Sequence, residues 1–240
     1  MNLLAQTKVE VLLTLRRGET LLVTVIIPAG LLIFFTVVDF LPQSKLESPV
    51  DFYLPGTISI AVAATSMVSL GIATAFERYY GVLKRLGGTP LTRGRLLVAK
   101  GISVFAIEAI QAAVVFTVAA LFLDWAPRGN VALIASIIVL GSFAFAALGL
   151  MLAGRLRAEL NLALVNGLFL LFILLSGLVV PIESLPGPLA SLAEVLPAAA
   201  LTDSTRWAIE GGAVPTSDLV LLSVWGLVPA AIAASTFKWE

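Results

Sequence analysis

The stretch Glu77–Lys100 reads ERYYGVLKRLGGTPLTRGRLLVAK and lies between two long apolar runs, Ile58–Phe76 and Leu96–Leu123. It contains six cations and one acid, whereas the whole chain has only fifteen Lys and Arg residues. Such a concentration of positive charge beside apolar runs is typical of a cytoplasmic loop in a membrane protein. The six cations are Arg78, Lys84, Arg85, Arg93, Arg95 and Lys100.

The composition indicates an integral membrane protein. Apolar residues make up 59% of the 240 residues and charged residues 12%, whereas a soluble domain is about half apolar and a quarter charged. Six runs approach the roughly 20 apolar residues that a membrane-spanning helix requires. Because they lack the alternating pattern of barrel strands, we expect helices. The predicted fold is all-α, one domain over residues 1–240, with spans at about Leu21–Leu41, Leu54–Phe76, Leu96–Leu123, Val131–Leu152, Leu160–Val180 and Leu219–Phe237.

Positive charge is distributed unevenly between the two sides that these spans define. If both termini are inside, the inner segments carry twelve cations and the outer segments three. This excess matches the positive-inside pattern. We therefore expect a multi-pass protein of a bacterial plasma membrane, with both termini and the basic loop, residues 77–95, in the cytoplasm. The outer cations are Lys45, Arg128 and Arg206.

Residues 2–20 predict an amphipathic helix that lies in the inner membrane interface. Ala5, Val9, Leu12 and Leu13 fall on one helical face, and polar residues fall on another. A simple inward extension of the first span is the alternative.

The longest outer segment is Pro181–Ser217, which contains five prolines. The apolar stretches between these prolines are too short to span a membrane. Ser184–Leu196 and Ala199–Glu210 each fit a short helix. We expect these helices to lie on the outer leaflet or to dip partway into it.

The residue inventory excludes several kinds of chemistry. The chain has no cysteine and no histidine, which removes disulfides, the usual zinc sites and Cys–His or Ser–His catalysis. It also lacks the G-x-x-x-x-G-K-[ST] loop that cradles nucleotide phosphates. We expect no metal site and no catalytic site on this chain. If the protein pumps, another chain hydrolyses the ATP.

The basic loop itself predicts a short helix followed by a turn. Phe76–Leu86 is long enough for about three helical turns. Gly87 and Gly88 then favour a left-handed helix cap, and Thr89-Pro90 prevents continuation. The helix would present an apolar face for docking on a partner. A membrane-hugging loop whose charges only set the topology is the alternative. The apolar face consists of Tyr79, Val82, Leu83 and Leu86.

Two groups of motifs occur in a recognisable order. Glu77–Pro90 contains the pattern E-R-x-x-G-x-L-x-x-L-x-x-T-P, followed by basic residues and a long span. Pro181, Leu185-Pro186, Leu196-Pro197 and Arg206 follow the fifth predicted span. With six spans and an interfacial N-terminal helix, this order resembles ABC-2-type exporter permeases, which include drug, lipid and polysaccharide exporters. One departure is Leu196-Pro197, where Asn-Pro is common in that family.

The resemblance implies a transport subunit rather than an enzyme. It implies export of a hydrophobic or amphipathic substrate, powered by ATP and Mg²⁺ on a separate nucleotide-binding ATPase present in two copies. It also implies a second permease protomer, identical or homologous, and contact with membrane lipids but not with nucleic acid. The coupling helix would dock on the ATPase through Glu77, Arg78, Tyr79, Gly81, Val82, Leu83, Lys84, Arg85, Leu86, Gly87, Thr89 and Pro90.

Several polar residues lie within the predicted spans. Glu108 is about 12 Å deeper along its helix than Lys100, and Gln111 shares its face. Ionisable residues in a membrane are costly and often functional. We nevertheless favour a structural Glu108, so that Glu108→Gln retains most transport. The candidate substrate path comprises Thr65, Ser69, Glu108, Gln111, Asn161, Asn166 and Ser176, although the hydroxyl and amide residues fit helix packing equally well.

A second class of function stays open. A stand-alone secondary transporter or ion channel needs an ion path, for which only Glu108 offers an acidic group deep within a span. A membrane enzyme is disfavoured by the missing histidine and cysteine. A neighbouring gene for an ATPase would separate the exporter from both.

Overall fold

The computed structural model describes residues 7–12, 18–38, 48–88 and 92–236, without the side chains of residues 18–23 and 93. Within these ranges the chain is helical and contains no strand. Residues 7–12 are helical, a π-helical segment, Ala63–Ser69, joins α2 to α3, and a 3-10 turn, Ile182–Ser184, precedes α8. The helices are α1 Gly18–Val38, α2 Pro49–Val62, α3 Leu70–Tyr79, α4 Val82–Gly87, α5 Arg93–Phe122, α6 Val131–Ala153, α7 Ala158–Leu175, α8 Gly187–Glu194, α9 Pro197–Glu210 and α10 Thr216–Thr236.

Five helices in the described ranges are long and apolar enough to cross a membrane. They are Pro49–Tyr79, which we call the central helix, and α5, α6, α7 and α10. A sixth helix, α1, has 21 residues, and its shorter apolar part is Thr24–Val38. The predicted all-α membrane fold is therefore confirmed.

The central helix holds the bundle together, because α1, α5, α6, α7 and α9 all pack against it. Its contact with α6 is especially close. A Cβ atom added to Gly149 would lie 2.7 Å from the carbonyl oxygen of Met67, within the π-helical segment. Only a residue without a side chain allows this approach. The wider turn of a π-helix often marks a functional site, and this one carries Thr65 and Ser66 into the bundle.

The segment after α7 folds back against the bundle. Helix α9 packs against α2, α6 and α10, and Ser59 donates a hydrogen bond to the carbonyl of Ala198 at 2.9 Å. Ser59 lies ten residues into the central helix, about 15 Å from its start. The start of α9 therefore lies well inside the length of the bundle, as expected for a helix that dips partway into the membrane.

The fifth span ends earlier than its apolar run. Helix α7 stops at Leu175, whereas the run was predicted to continue to Val180. Gly177 adopts a φ of +75°, which a helix does not contain and which glycine tolerates best. The apolar residues after it pack in the core as an irregular turn, with Leu178 buried against Gly56.

Candidate functional site

The basic loop contains a helix break that the sequence pattern did not predict. Helix α3 continues to Tyr79, the chain turns at Tyr80, and α4 begins at Val82. Gly81 lies between them with a φ of +71°. A single helix over Phe76–Leu86 was therefore wrong. The left-handed glycine is Gly81 rather than Gly87, which lies within α4 and is followed by Gly88 in a right-handed conformation.

The turn divides the predicted apolar face into exposed and buried parts. Tyr79 and Tyr80 are 64% and 66% exposed, and Val82 is also exposed. Leu83 is 0% exposed and packs against Leu96, with Leu86 beside them. Leu83 therefore cannot serve as a docking anchor while this packing persists, since it holds α4 against the start of α5. Lys84 and Arg85 of α4 are also exposed.

A surface cleft of about 540 Å³ adjoins this turn. Its walls come from the end of α3, the start of α4 and the start of α7. The cleft is amphipathic, because apolar atoms of Ala75 and Ala158 lie beside cationic and acidic side chains. The charged and polar lining residues are Arg78, Tyr79, Lys84, Arg157 and Glu159. We call the cleft together with Tyr79, Tyr80, Val82, Lys84 and Arg85 the loop surface.

Beside the loop surface, the buried Lys100 forms an ion-pair triad with two acids, of which Glu77 is partly exposed. Its Nζ atom lies 2.6 Å from Oε2 of Glu77 and 3.3 Å from Oε2 of Glu10. Lys100 is only 2% exposed. The triad joins residues 7–12, the end of the central helix and α5. Sequence spacing did not predict it, because Glu10 is 90 residues from Lys100.

Two of the predicted coupling residues are thus engaged within the chain. Glu77 belongs to the triad, and Arg78 donates a hydrogen bond to the carbonyl of Leu156 in the turn between α6 and α7. Both residues position the loop rather than present free charge to a partner. Thr89 and Pro90 lie outside the described residues. A role for the loop in coupling stays a prediction.

A buried polar cluster lies between the central helix and α5. Ser66 donates to Oε1 of Glu108 at 2.5 Å, and Thr65 donates to Oε1 of Gln111 at 3.2 Å. The amide of Gln111 donates to the carbonyl of Thr24 in α1 at 2.6 Å. The cluster therefore links three helices, and the shared face of Glu108 and Gln111 is confirmed. The π-helical turn brings Ser66 to Glu108.

The other residues of the predicted path form hydrogen bonds elsewhere. Asn161 is buried and donates to the carbonyl of Gly71, which fastens α7 to the central helix. Asn166 is exposed and donates to Leu162 in its own helix. Ser176 donates to Ile173 at the end of α7, and Ser69 is half-buried. A single path through all seven predicted residues is not supported by these contacts.

Within the described ranges, no three His, Cys, Asp or Glu residues approach closely enough to hold a metal ion. The features on which a function can be based are therefore the loop surface, the ion-pair triad and the polar cluster. Five helices that are long and apolar enough to cross a membrane, packed around the central helix, define a multi-pass helical membrane protein. Residues 1–209 match the ABC-2 type transporter family, and the chain belongs to that family.

Curated relatives carry permease names. The chain is 24% identical over 190 residues to the Escherichia coli K12 protein named probable multidrug ABC transporter permease YbhS, covering 78% of this chain and 50% of that protein. Identity to the related YbhR of the same organism is 26%, covering 74% and 48%. The chain thus spans about half the length of these two relatives. The putative transport permease YvfS of Bacillus subtilis is 26% identical over 93% of this chain and 92% of its own length.

Proposed function

We propose that this chain is the permease subunit of an ATP-binding-cassette exporter of a bacterial plasma membrane. Two such protomers, identical or homologous, enclose the substrate path, and two separate ATPase subunits bind ATP and Mg²⁺ in the cytoplasm. Family membership and the permease names of its relatives support this function. The substrate is hydrophobic or amphipathic, and both termini of the permease are cytoplasmic.

The single observation that carries the proposal is the loop surface. Three apolar or aromatic side chains, Tyr79, Tyr80 and Val82, are exposed side by side at the end of the bundle with the densest positive charge. Tyrosines of this kind are typical anchors of protein interfaces. Lys84 and Arg85 at the rim steer association with an acidic partner. This composition fits a docked protein better than a loop whose charges only orient the chain.

The ion-pair triad also connects the loop surface to the membrane-spanning helices, so that a movement of a docked ATPase can be transmitted to them. Glu77 lies in the last turn of the central helix and meets Lys100 of α5. The same lysine holds Glu10 of residues 7–12. A displacement of the loop surface therefore moves three elements together as a unit. Rigid elements that share contacts of this kind transmit a change between two packing arrangements.

The test is association with an ATPase encoded beside this chain's gene. We expect the affinity-tagged permease to co-purify with that ATPase. We expect the double variant Tyr79→Ala/Tyr80→Ala to weaken this association by at least about thirty-fold, since losing even one hot-spot aromatic costs roughly 2 kcal/mol. The matched control is Phe122→Ala, an exposed aromatic at the far end of α5. Unchanged recovery with the double variant would contradict the proposal, and transport driven by an ion gradient without any ATPase would favour a secondary transporter.

A further inference from the structure

A cavity of about 560 Å³ lies between α5 and α6. Its walls are almost entirely apolar and include Phe105, Ala112, Phe116, Trp125, Ile134 and Ile138. Exposed residues of both helices, among them Ala109 and Ala135, also line it. The cavity therefore opens on the flank of the bundle. Its volume is within the range of about 300–1,000 Å³ that accommodates drug-sized molecules.

Glu108 is the acidic residue that lines this cavity. The residue is 3% exposed, and Ser66 satisfies its Oε1 atom. Its second oxygen, Oε2, is buried and accepts no hydrogen bond from the described residues. The hydroxyl of Ser142 lies beside the carboxyl group, but its single hydrogen is donated to the carbonyl of Ile138 at 2.8 Å. A buried oxygen without a donor is costly. A purely structural role accounts for Oε1 but leaves Oε2 unexplained.

The position of Glu108 along α5 restricts what can satisfy Oε2. The residue lies fourteen positions before Phe122, or about 21 Å along the helix, and fifteen positions after Arg93. It is therefore near the middle of the span. A phospholipid headgroup stays at the interface, and an acyl chain carries no donor. A smaller space of about 10 Å³ adjoins Glu108 toward Ile58, which is room for about one water molecule at most.

We propose that the cavity binds a lipophilic amine. The ammonium group donates a hydrogen bond to Oε2 of Glu108, and the apolar body packs on the walls between α5 and α6. Phe116 and Trp125, stacked with their ring centres 5.8 Å apart, contribute aromatic surface that attracts a cation as well. This assignment names a substrate class for the exporter and so rests on the proposed function.

The test uses the full-length permease in detergent and two probes that differ in one group. Dansylcadaverine carries a primary amine, and its N-acetyl derivative is neutral. We expect the amine to bind about ten-fold tighter than the neutral probe, because a hydrogen bond between charged groups is about twice as strong as one between neutral groups. Glu108→Gln removes this difference by weakening amine binding alone. Glu194→Gln, which alters an exposed carboxylate on α8, leaves it unchanged.

A second pair of variants tests the cavity without touching the carboxylate. Ala135→Phe fills the cavity and weakens both probes, whereas Ala113→Phe, exposed on α5 but absent from the lining, weakens neither. Equal affinity of the two probes for the wild type would overturn the proposal, as expected if a water molecule satisfies Oε2. Unchanged amine binding in Ala135→Phe would also overturn the proposal. This variant tests the cavity even if Glu108→Gln fails to fold.

These measurements separate the cavity from the exporter function. Probe binding needs neither nucleotide nor ATPase, and ATPase association is measured independently by co-purification. Amine-selective binding without an associated ATPase would support the amine site in the cavity and contradict the proposed exporter function. An associated ATPase without amine selectivity would refute the cavity site alone.

Discussion

Nζ of Lys100 lies 2.6 Å from Oε2 of Glu77, so the end of the central helix is joined to the first turns of α5 beneath the basic loop. The same nitrogen reaches Glu10 at 3.3 Å. Removing one partner from a buried ion pair leaves charge uncompensated, which costs more than replacing the whole group with neutral residues. The triad therefore makes the position of the loop depend on one side chain.

The first prediction concerns this lysine. Lys100→Met leaves Glu10 and Glu77 without their buried cation and should lower stability by about 3 kcal/mol or more. Thermal unfolding of the purified permease in detergent measures this loss. Arg85→Ala, which removes an exposed cation from the same loop, should have little effect. Adding Glu10→Gln and Glu77→Gln to Lys100→Met should restore much of the stability, and a failure to do so would argue against a charge effect.

The second prediction distinguishes two adjacent apolar residues of α4. Leu83→Asp places a carboxylate in the buried contact with Leu96, so it should destabilise the loop and increase its cleavage by protease. Val82→Asp alters an exposed side chain and should leave the fold intact while reducing ATPase association. Limited proteolysis measures the stability of the loop in both variants, and co-purification measures their association with the ATPase. Equal protease resistance of the two variants would contradict the burial of Leu83.

The third prediction concerns the close contact of α6 with the central helix. Gly149→Ala brings a methyl group within 2.7 Å of the Met67 carbonyl oxygen, so the helices must separate. We expect a loss of about 2 kcal/mol, typical of an overpacked core, measured as a lower unfolding temperature. Gly167→Ala is the matched control, because its added Cβ meets nothing within 4 Å. It should be neutral or slightly stabilising, since Ala favours helix.

The fourth prediction concerns orientation in the membrane. The chain has no native cysteine, so single cysteines can be introduced at Arg85 and at Pro188, both of which are exposed. In intact cells an impermeant thiol reagent should label position 188, and position 85 only after permeabilisation, because the basic loop is retained inside. Labelling of position 85 but not of position 188 in intact cells would show that the topology is the opposite of the predicted one.

The fifth prediction concerns Asp203 on α9. Burial raises the pKa of Asp203 to about 6, and the charge of Arg206 opposes this rise. Because the folded protein holds this proton more tightly than the unfolded chain, the stabilisation is complete at low pH and is lost as the pH rises through about 6. The unfolding temperature of the wild type should therefore fall between about pH 4 and pH 6 and level off above that range. Asp203→Asn should flatten this fall, and Glu194→Gln, an exposed carboxyl on α8, should not.

Some side-chain placements followed from helical spacing and others did not. Glu108 and Gln111 share a face of α5, as their spacing of three predicted. On the central helix the candidate path named Thr65 and Ser69, which are four residues apart. The structure instead brings Thr65 and Ser66 to α5. The π-helical segment explains the difference, because its i→i+5 hydrogen bonds widen the turn and shift residues four apart off a common face.

The sequence by itself determined the class of fold, because the requirement for about 20 apolar residues per span is local and leaves a direct pattern along the chain. It also located the basic loop. Only the tertiary structure decided that Leu83 is buried, that Glu10, Glu77 and Lys100 meet, and that Glu108 lines a cavity. Each of these depends on side chains from helices far apart in sequence, whose approach is decided by close packing and by the pairing of buried charge.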